Sequence, residues 1–329
     1  MTYNLSDSLQ AAREELHSHA ALQGGAFRRS DLPGWGMDDA TLRALIRRRL
    51  AVRLRHGIFT DVSVLDAARA DETRMHLLDL SAAVLSLDYP AYAFGQSAAV
   101  LRGLPLPHRV PANRSLIRPL RSDLRALRRP STHQLTLPNL IVTTHSLDPA
   151  TTGVAEGIPV VGRHLAAIST AAQLSLDWAV GVLDSVLWDE PDAVGSLRET
   201  LEDWPLLRGS GTVRRALDLA RPGAQTILES LSRIRLCRAG LPEPQLQVPL
   251  YDEDGLIGIV DMWWEALGVV GEADGAVKYD DRQVLYKEKV REDRIRAKGL
   301  RCVRWGWEDM NLRIDRVADQ IWRAARMSA

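Results

Sequence analysis

Ile257-Gly258-Ile259-Val260-Asp261-Met262-Trp263 and Val269-Val270-Gly271-Glu272-Ala273-Asp274-Gly275 are two short apolar runs broken by acids. Their apolar, β-branched residues read as strands with a buried side. Asp261 interrupts the first run, and Glu272 and Asp274 close the second. Side chains repeat every two residues along a strand, so Glu272 and Asp274 point to one side. Carboxylates beside apolar strand ends are costly unless paired with cations or bound to metal.

Working outward, Asp252-Glu253-Asp254-Gly255 is a hairpin signal joining a strand over 245–250 to the return strand over 256–263. A third strand is expected over 267–273, a charged helix over 279–298 stopped by Gly299, and a fourth strand over 300–305. A helix from Pro222 to Arg238 precedes them and carries Glu229; a final helix is expected over 312–327. The expected order is α-β-β-β-α-β-α. The five tryptophans after residue 260 are mostly core, and Trp263 and Trp264 cannot both face inward on one regular strand. One of them is free to stack on a base or to contact a neighbouring domain.

The basic residues sharpen this segment. Of 42 lysines and arginines only Lys278, Lys287, Lys289 and Lys298 are lysine, and all four fall near the acids. Lysine is a compact charge with an adjustable pKa, which arginine cannot imitate. Asp261, Glu272 and Asp274 form a candidate ligand set for Mg2+ (or Mn2+), a hard cation held by carboxylate oxygens and waters. Such an ion acidifies a bound water and offsets charge on a phosphate under attack. Lys278 or Lys287 would orient the water or stabilise that charge. The competing reading pairs the same acids with Arg291 and Arg294.

The opposite end reads differently. A helix over 5–21 stops at Gly24-Gly25, a short second helix over 29–32 is broken by Pro33-Gly34, and Asp38 or Asp39 caps a helix over 40–50. Val52-Arg53-Leu54-Arg55, His56-Gly57 and Ile58-Phe59-Thr60 then read as a basic hairpin. Helix, helix, basic helix, basic hairpin is the order of a winged helix-turn-helix. Residues 41–60 hold six arginines and no acid, among them Arg43, Arg47, Arg48, Arg53 and Arg55, which suits a helix docked in a DNA major groove. A small helical domain with an ordinary arginine-coated surface is the plainer alternative.

Between these ends, helices are expected over 71–87, 95–101, 163–187 and 192–201, with strands near 115–119 and 140–144. Residues 102–129 hold eight arginines against one acid, Asp123. They either extend a DNA footprint or are simply solvated. No catalytic arrangement is visible there, and His133 and His145 read as polar surface histidines.

Composition closes off several classes. The 329 residues carry zero formal net charge, 46% hydrophobic and 26% charged residues, an ordinary globular balance. No apolar run approaches a bilayer span, and the start does not read as a signal peptide, so a cytoplasmic chain with no membrane partner is expected. Two cysteines, Cys237 and Cys302, cannot build a disulfide framework or a cysteine metal site. No histidine follows His164, which removes a histidine base or ligand from any site built only of the C-terminal segment. The chain lacks a Walker loop, a G-x-G-x-x-G turn and an H-E-x-x-H helix.

Residues 222–310 resemble the very-short-patch-repair-like (Vsr-like) nuclease domains of the PD-(D/E)xK superfamily. The likeness rests on Glu229-Ser230 with Arg233, Gly240-Leu241-Pro242-Glu243-Pro244 with Gln247, and Val260-Asp261. It continues through Gly271-Glu272-Ala273-Asp274-Gly275 with Lys278-Tyr279, Arg291-Glu292-Asp293 and Val303-Arg304-Trp305. The N-terminal half is similar, more loosely, to AbiEi-type antitoxins. Here the match lies in Arg53-Leu54-Arg55-His56-Gly57-Ile58-Phe59 and Ser97-Ala98-Ala99-Val100-Leu101-Arg102-Gly103-Leu104-Pro105. The first resemblance implies Asp261 and Glu272 as metal ligands, Glu229 as a helical acid completing the site, and a lysine two residues after Glu272. Asp274 stands there instead. Either the lysine role has moved to Lys278 or Lys287, or Asp274 is a further ligand, or catalysis is lost. A polar residue near the position of Lys278 takes part in Vsr-like relatives, which favours the first.

The expected architecture is an α+β multidomain chain. It comprises a winged helix-turn-helix (1–70), an AbiEi-like α/β middle domain (71–221) and a PD-(D/E)xK restriction-endonuclease-like α/β core (222–329). Two functions follow as expectations: a Mg2+-dependent DNA endonuclease of phage defence or DNA repair, or a non-catalytic DNA-binding regulator, the antitoxin of a toxin–antitoxin pair. Double-stranded DNA is the partner in both, with a cognate toxin or defence protein beside it in the second. An enzyme acting on small molecules finds no cofactor loop or pocket chemistry to support it.

Overall fold

The computed structural model describes residues 7–107, 114–119, 135–137, 140–205, 207–274 and 282–327. Lys278, His133 and much of the arginine-rich stretch over 102–129 lie outside the described residues. The chain divides into two compact units: Met1–Gln173 with Trp204–Arg208, and Leu174–Asp203 with Gly209–Ala329.

The first unit begins with α1 (Asp7–Ala21), β1 (Ala26–Arg28), a 3-10 turn (Arg29–Trp35), α2 (Asp39–Arg47), β2 (Ala51–Arg55) and β3 (Ile58–Asp61). The strands form an antiparallel sheet of order β1-β3-β2. Apolar spacing explains the packing: Leu16 and Ala20 of α1, Phe27, Leu32, Leu42 and Leu45 of α2, and Phe59 close one small core. Asp38 caps α2, accepting the Thr41 N–H at 2.8 Å. The expected break at Pro33 does not occur. The tighter 3-10 geometry carries the turn through it to Trp35.

α3 (Val62–Arg69), α4 (Glu72–Leu85), β4 (Tyr92–Ala93), α5 (Gly95–Leu101), β5 (Arg114–Pro119), β6 (Leu135–Leu137), β7 (Leu140–His145), β8 (Thr152–Ala155), β9 (Ile158–Val161) and α6 (Arg163–Ala171) follow. The strands form a mixed sheet of order β6-β7-β5-β4-β9-β8, parallel at β5/β7 and β4/β9.

The second unit contains α7 (Leu176–Asp189), α8 (Val194–Glu202), α9 (Ser210–Leu219), α10 (Ile227–Arg238), β10 (Gln245–Asp252), β11 (Gly255–Trp264), β12 (Val269–Ala273), α11 (Arg282–Ala297), β13 (Arg301–Trp305), α12 (Trp307–Leu312) and α13 (Ile314–Arg326). Its sheet has order β10-β11-β12-β13, antiparallel except for β12/β13. Leu228, Leu236, Met262, Trp264, Trp305, Met310 and Ile321 pack α10, α12 and α13 against the sheet. A separate cluster of Leu250, Ile257, Val260, Val270 and Ile295 seats α11. Gly271 is needed at the centre, because a β-carbon there would collide with the rings of Trp264 and Trp305.

Several expected boundaries move. The chain passes from the first compact unit to the second at Gln173/Leu174 and returns to the first over Trp204–Arg208. The helix expected over 163–187 is two, α6 and α7, with Ser175 as the N-cap residue of the second. α7 belongs with α9 and α10, whose apolar faces it meets. The helix expected from Pro222 begins at Ile227, because Thr226 and Glu229 cap it there. The last helix, expected over 312–327, is α13 (Ile314–Arg326), and a short unexpected helix, α12 (Trp307–Leu312), precedes it. Among the described residues no helix is long and apolar enough to cross a membrane.

Candidate functional site

Glu229 lies in the first turn of α10, in the sequence Thr226-x-x-Glu229 that favours reciprocal capping. The Thr226 hydroxyl donates to Glu229 Oε1 at 2.8 Å and accepts the Glu229 N–H at 3.3 Å. The Gln225 N–H donates to Glu229 Oε2 at 2.8 Å. Asp261 sits mid-way along the edge of β11 that faces β12, and its Oδ2 accepts the Ala273 N–H at 2.9 Å.

Gln247 joins these two acids. Its Nε2 donates to Glu229 Oε2 at 2.9 Å and to Asp261 Oδ1 at 3.2 Å. The β10/β11 register runs Leu246↔Met262 and Val248↔Val260, so Gln247 stands opposite Asp261. Its backbone is left-handed, with φ of 49° inside a strand. Such a conformation costs a non-glycine residue about 1–3 kcal/mol and persists where surrounding structure demands it. Burial pushes the Glu229 carboxyl up, its Thr226 bond opposes that, and the Asp261 charge adds to the rise. Burial also pushes Asp261 up, against its bonds from Ala273 and Gln247; Asp274 adds to the rise and Arg291 opposes it.

Glu272 goes elsewhere. It directly follows Gly271, which pairs with Met262 next to Asp261, yet its oxygens lie 2.5 Å from Arg291 and 3.2 Å from Arg304. Glu288 of α11 ion-pairs with the same two guanidiniums, closing a network of two acids and two bases. Glu272 is thus engaged by guanidiniums, where the sequence reading expects it to share an ion with Asp261. α11 lays Arg291 across the strand, and Gly258 leaves the room, since a β-carbon there would come within 2.6 Å of Arg291 Nε. The competing sequence reading is realised for Arg291, whereas Arg294 pairs with Asp252 at 2.5 Å. Asp274 is half-buried beyond the end of β12, its N–H donating to Trp305 O at 2.9 Å. Lys287 falls within α11.

Among the described residues no three Asp, Glu, His or Cys side chains close on one point that would hold a metal. The Glu229–Asp261 pair has the right chemistry for a smaller demand. Mg2+ is commonly held by one or two carboxylates, its other positions filled by waters and substrate phosphates. Both acids supply hard oxygens from two different elements at a part-buried place.

In the first unit Arg43, Arg47, Arg48, Arg49 and Arg53 are exposed and Arg55 is half-buried. Arg43 faces the charges of Asp38 and Asp39. Arg47, Arg48, Arg49 and Arg53 have no ion-pair partner among the described residues. The last turn of α2, the loop after it and β2 thus carry uncompensated positive charge.

Other candidates resolve as structure. His145 stacks on Trp204, with ring centroids 3.8 Å apart. Trp264 is buried with its Nε1 donating to Pro242 O at 2.8 Å, while Trp263 is half-buried. Burial pushes the Cys302 thiol up to about 11, far from a reactive thiolate. The residue missed as a site member is Gln247, an amide between Leu246 and Val248 in β10.

No family model matches the chain. Two uncharacterized proteins of Mycobacterium tuberculosis, from two strains, are each 25% identical to it over 157 residues, 48% of this chain. The chain spans 58% of the length of these relatives.

Proposed function

We propose that the chain is a DNA-binding protein whose C-terminal unit is a Mg2+- or Mn2+-dependent endonuclease acting on phosphodiesters. The observation that carries this reading is the meeting of Glu229 and Asp261 at Gln247, on a sheet flanked by α10 and α11. Element order and register in this unit support the PD-(D/E)xK resemblance drawn from the sequence. The β1-β3-β2 sheet with α2 and the hairpin of β2 and β3 supports a winged helix at the other end.

In this reading Arg43, Arg47, Arg48, Arg53 and Arg55 hold the duplex through its phosphates. Asp261 and Glu229 hold the ion, with Asp274 close enough to strengthen the local negative field. The bound ion would supply Lewis-acid activation of water and neutralise charge on the phosphate. Gln225, Thr226 and Ala273 keep the two carboxylates oriented by donating to them. Lys278 and Lys287 remain the candidate cations for the attacked phosphate. Phage defence or DNA repair is the setting such an activity fits.

The test is incubation of plasmid DNA with Mg2+ or Mn2+. Nicking or linearisation by the wild type, lost in the Asp261→Ala, Glu229→Ala double variant, is the expected result. Equal survival of plasmid with both proteins overturns it.

A second reading has its own observation. Glu272 is neutralised by Arg291 and Arg304, and no lysine stands two residues after it. A non-catalytic regulator or antitoxin would use the same fold as a binding module, with a toxin or defence protein as partner. Sequence-specific duplex binding that is insensitive to chelator, without cleavage, would select it.

A further inference from the structure

We infer that Gln247 is a positioning residue of the candidate metal site, holding the Glu229 and Asp261 carboxylates toward one shared place by donating to both. The inference deepens the nuclease reading and rests on it.

Three observations carry it. The amide reaches acids from two separate elements, 2.9 Å to Glu229 on α10 and 3.2 Å to Asp261 on β11. No other side chain among the described residues bonds to both. The strand distorts to achieve this: φ at Gln247 is 49°, while pairing continues in step on either side, at Leu246↔Met262 and Val248↔Val260. No residue has been inserted, so the distortion is confined to the position that aims the amide. Finally, Gln247 is half-buried and its Oε1 accepts no hydrogen bond among the described residues. The amide nitrogen thus donates to both carboxylates, which accept.

A purely structural role would be served by other arrangements. Glu229 already has Thr226 and Gln225, and Asp261 already has Ala273. What Gln247 adds is the relation between the acids. Donors of this kind behind metal-binding carboxylates typically change metal affinity by about 10–100-fold when removed.

The experiment is calorimetric titration of the full chain with Mn2+ alone, beside thermal unfolding of each protein. Gln247→Met keeps side-chain length and removes the donor. Gln247→Gly removes the donor and suits the left-handed backbone, so a second folded variant is at hand. Both are expected to weaken Mn2+ binding by about tenfold or more while still unfolding cooperatively. Gln247→Glu, which places a third carboxylate there, is expected not to restore wild-type cleavage. Wild-type Mn2+ affinity in folded Gln247→Met or Gln247→Gly overturns the inference and leaves the nuclease reading standing. A wild type that binds no Mn2+ overturns both.

Discussion

Glu272 and Arg291 face each other with carboxylate and guanidinium 2.5 Å apart, and Arg304 approaches the other oxygen at 3.2 Å. The carboxylate expected from the sequence to share an ion with Asp261 is thus a counter-ion. Glu272→Gln should leave Mn2+ affinity close to that of the wild type, whereas Asp261→Asn should abolish it. Glu272→Gln should also lower stability by about 2 kcal/mol. That is less than the full cost of breaking a buried pair, because Glu288 still holds both arginines. Calorimetry and urea unfolding read the two effects separately. The reverse ranking in calorimetry returns Glu272 to the ligand set.

The basic surface of α2 and β2 makes a second prediction. Arg47 and Arg53 are exposed and have no ion-pair partner among the described residues. A phosphate contact releases condensed counterions, so log K falls with log salt by about 0.9 per phosphate neutralised. Arg47→Ala and Arg53→Ala should each weaken duplex binding and flatten that slope by about one, with little change between duplex sequences. Fluorescence anisotropy over a salt series measures this. Unchanged slopes in both variants remove this surface from the interface.

Much of this was legible because the relevant signals are local. Asp38 before an apolar-periodic helix, His56-Gly57 between two short strands, and Asp254-Gly255 between two longer ones each fix an element by neighbours in sequence. The apolar strands carrying Asp261 and Glu272 were visible for the same reason. The destinations of their side chains were not. Whether Glu272 meets Asp261 or Arg291 depends on α11 packing across the sheet and on space at Gly258, a contact between residues 258 and 291. Gln247 was hidden similarly, since its strained backbone answers to Glu229 and Asp261 rather than to β10. The break between α6 and α7 escaped because apolar residues continue through both helices, which obscures a helical period.

Arg233 and Asp184 give a third prediction. Their side chains are 2% and 0% exposed and their charges lie 3.0 Å apart. Asp184 Oδ1 also accepts the Arg221 N–H at 2.8 Å, and Arg233 donates to Leu219 O at 2.9 Å. The pair ties α7 to α10 and to the chain after α9. Arg233→Met leaves a buried carboxylate without its cation and should cost about 3–5 kcal/mol. Adding Asp184→Leu should recover much of that loss, because two apolar side chains need no pairing. Urea unfolding of the two singles and the double gives the cycle. Additive losses would mean the two charges act independently.

Asp177 supplies the pH dependence. It accepts from Arg235 at 3.1 Å and Arg238 at 2.8 Å, both on α10. Burial pushes its carboxyl up, but the two guanidiniums outweigh burial and hold it below the ordinary aspartate value. The folded chain therefore releases this proton more readily than the unfolded chain. Stability from Asp177 is fully present above the unfolded value of about 4 and is lost as pH falls through the lower folded value. Asp177→Asn should cost about 1 kcal/mol at pH 7, modest because Arg238 is largely solvent-exposed. Below about pH 4 the wild type should lose its advantage and the two melting curves converge. Thermal unfolding from pH 7 down to pH 3 checks this. A penalty that stays constant over that range assigns the effect to lost hydrogen bonds, with no part for the charge.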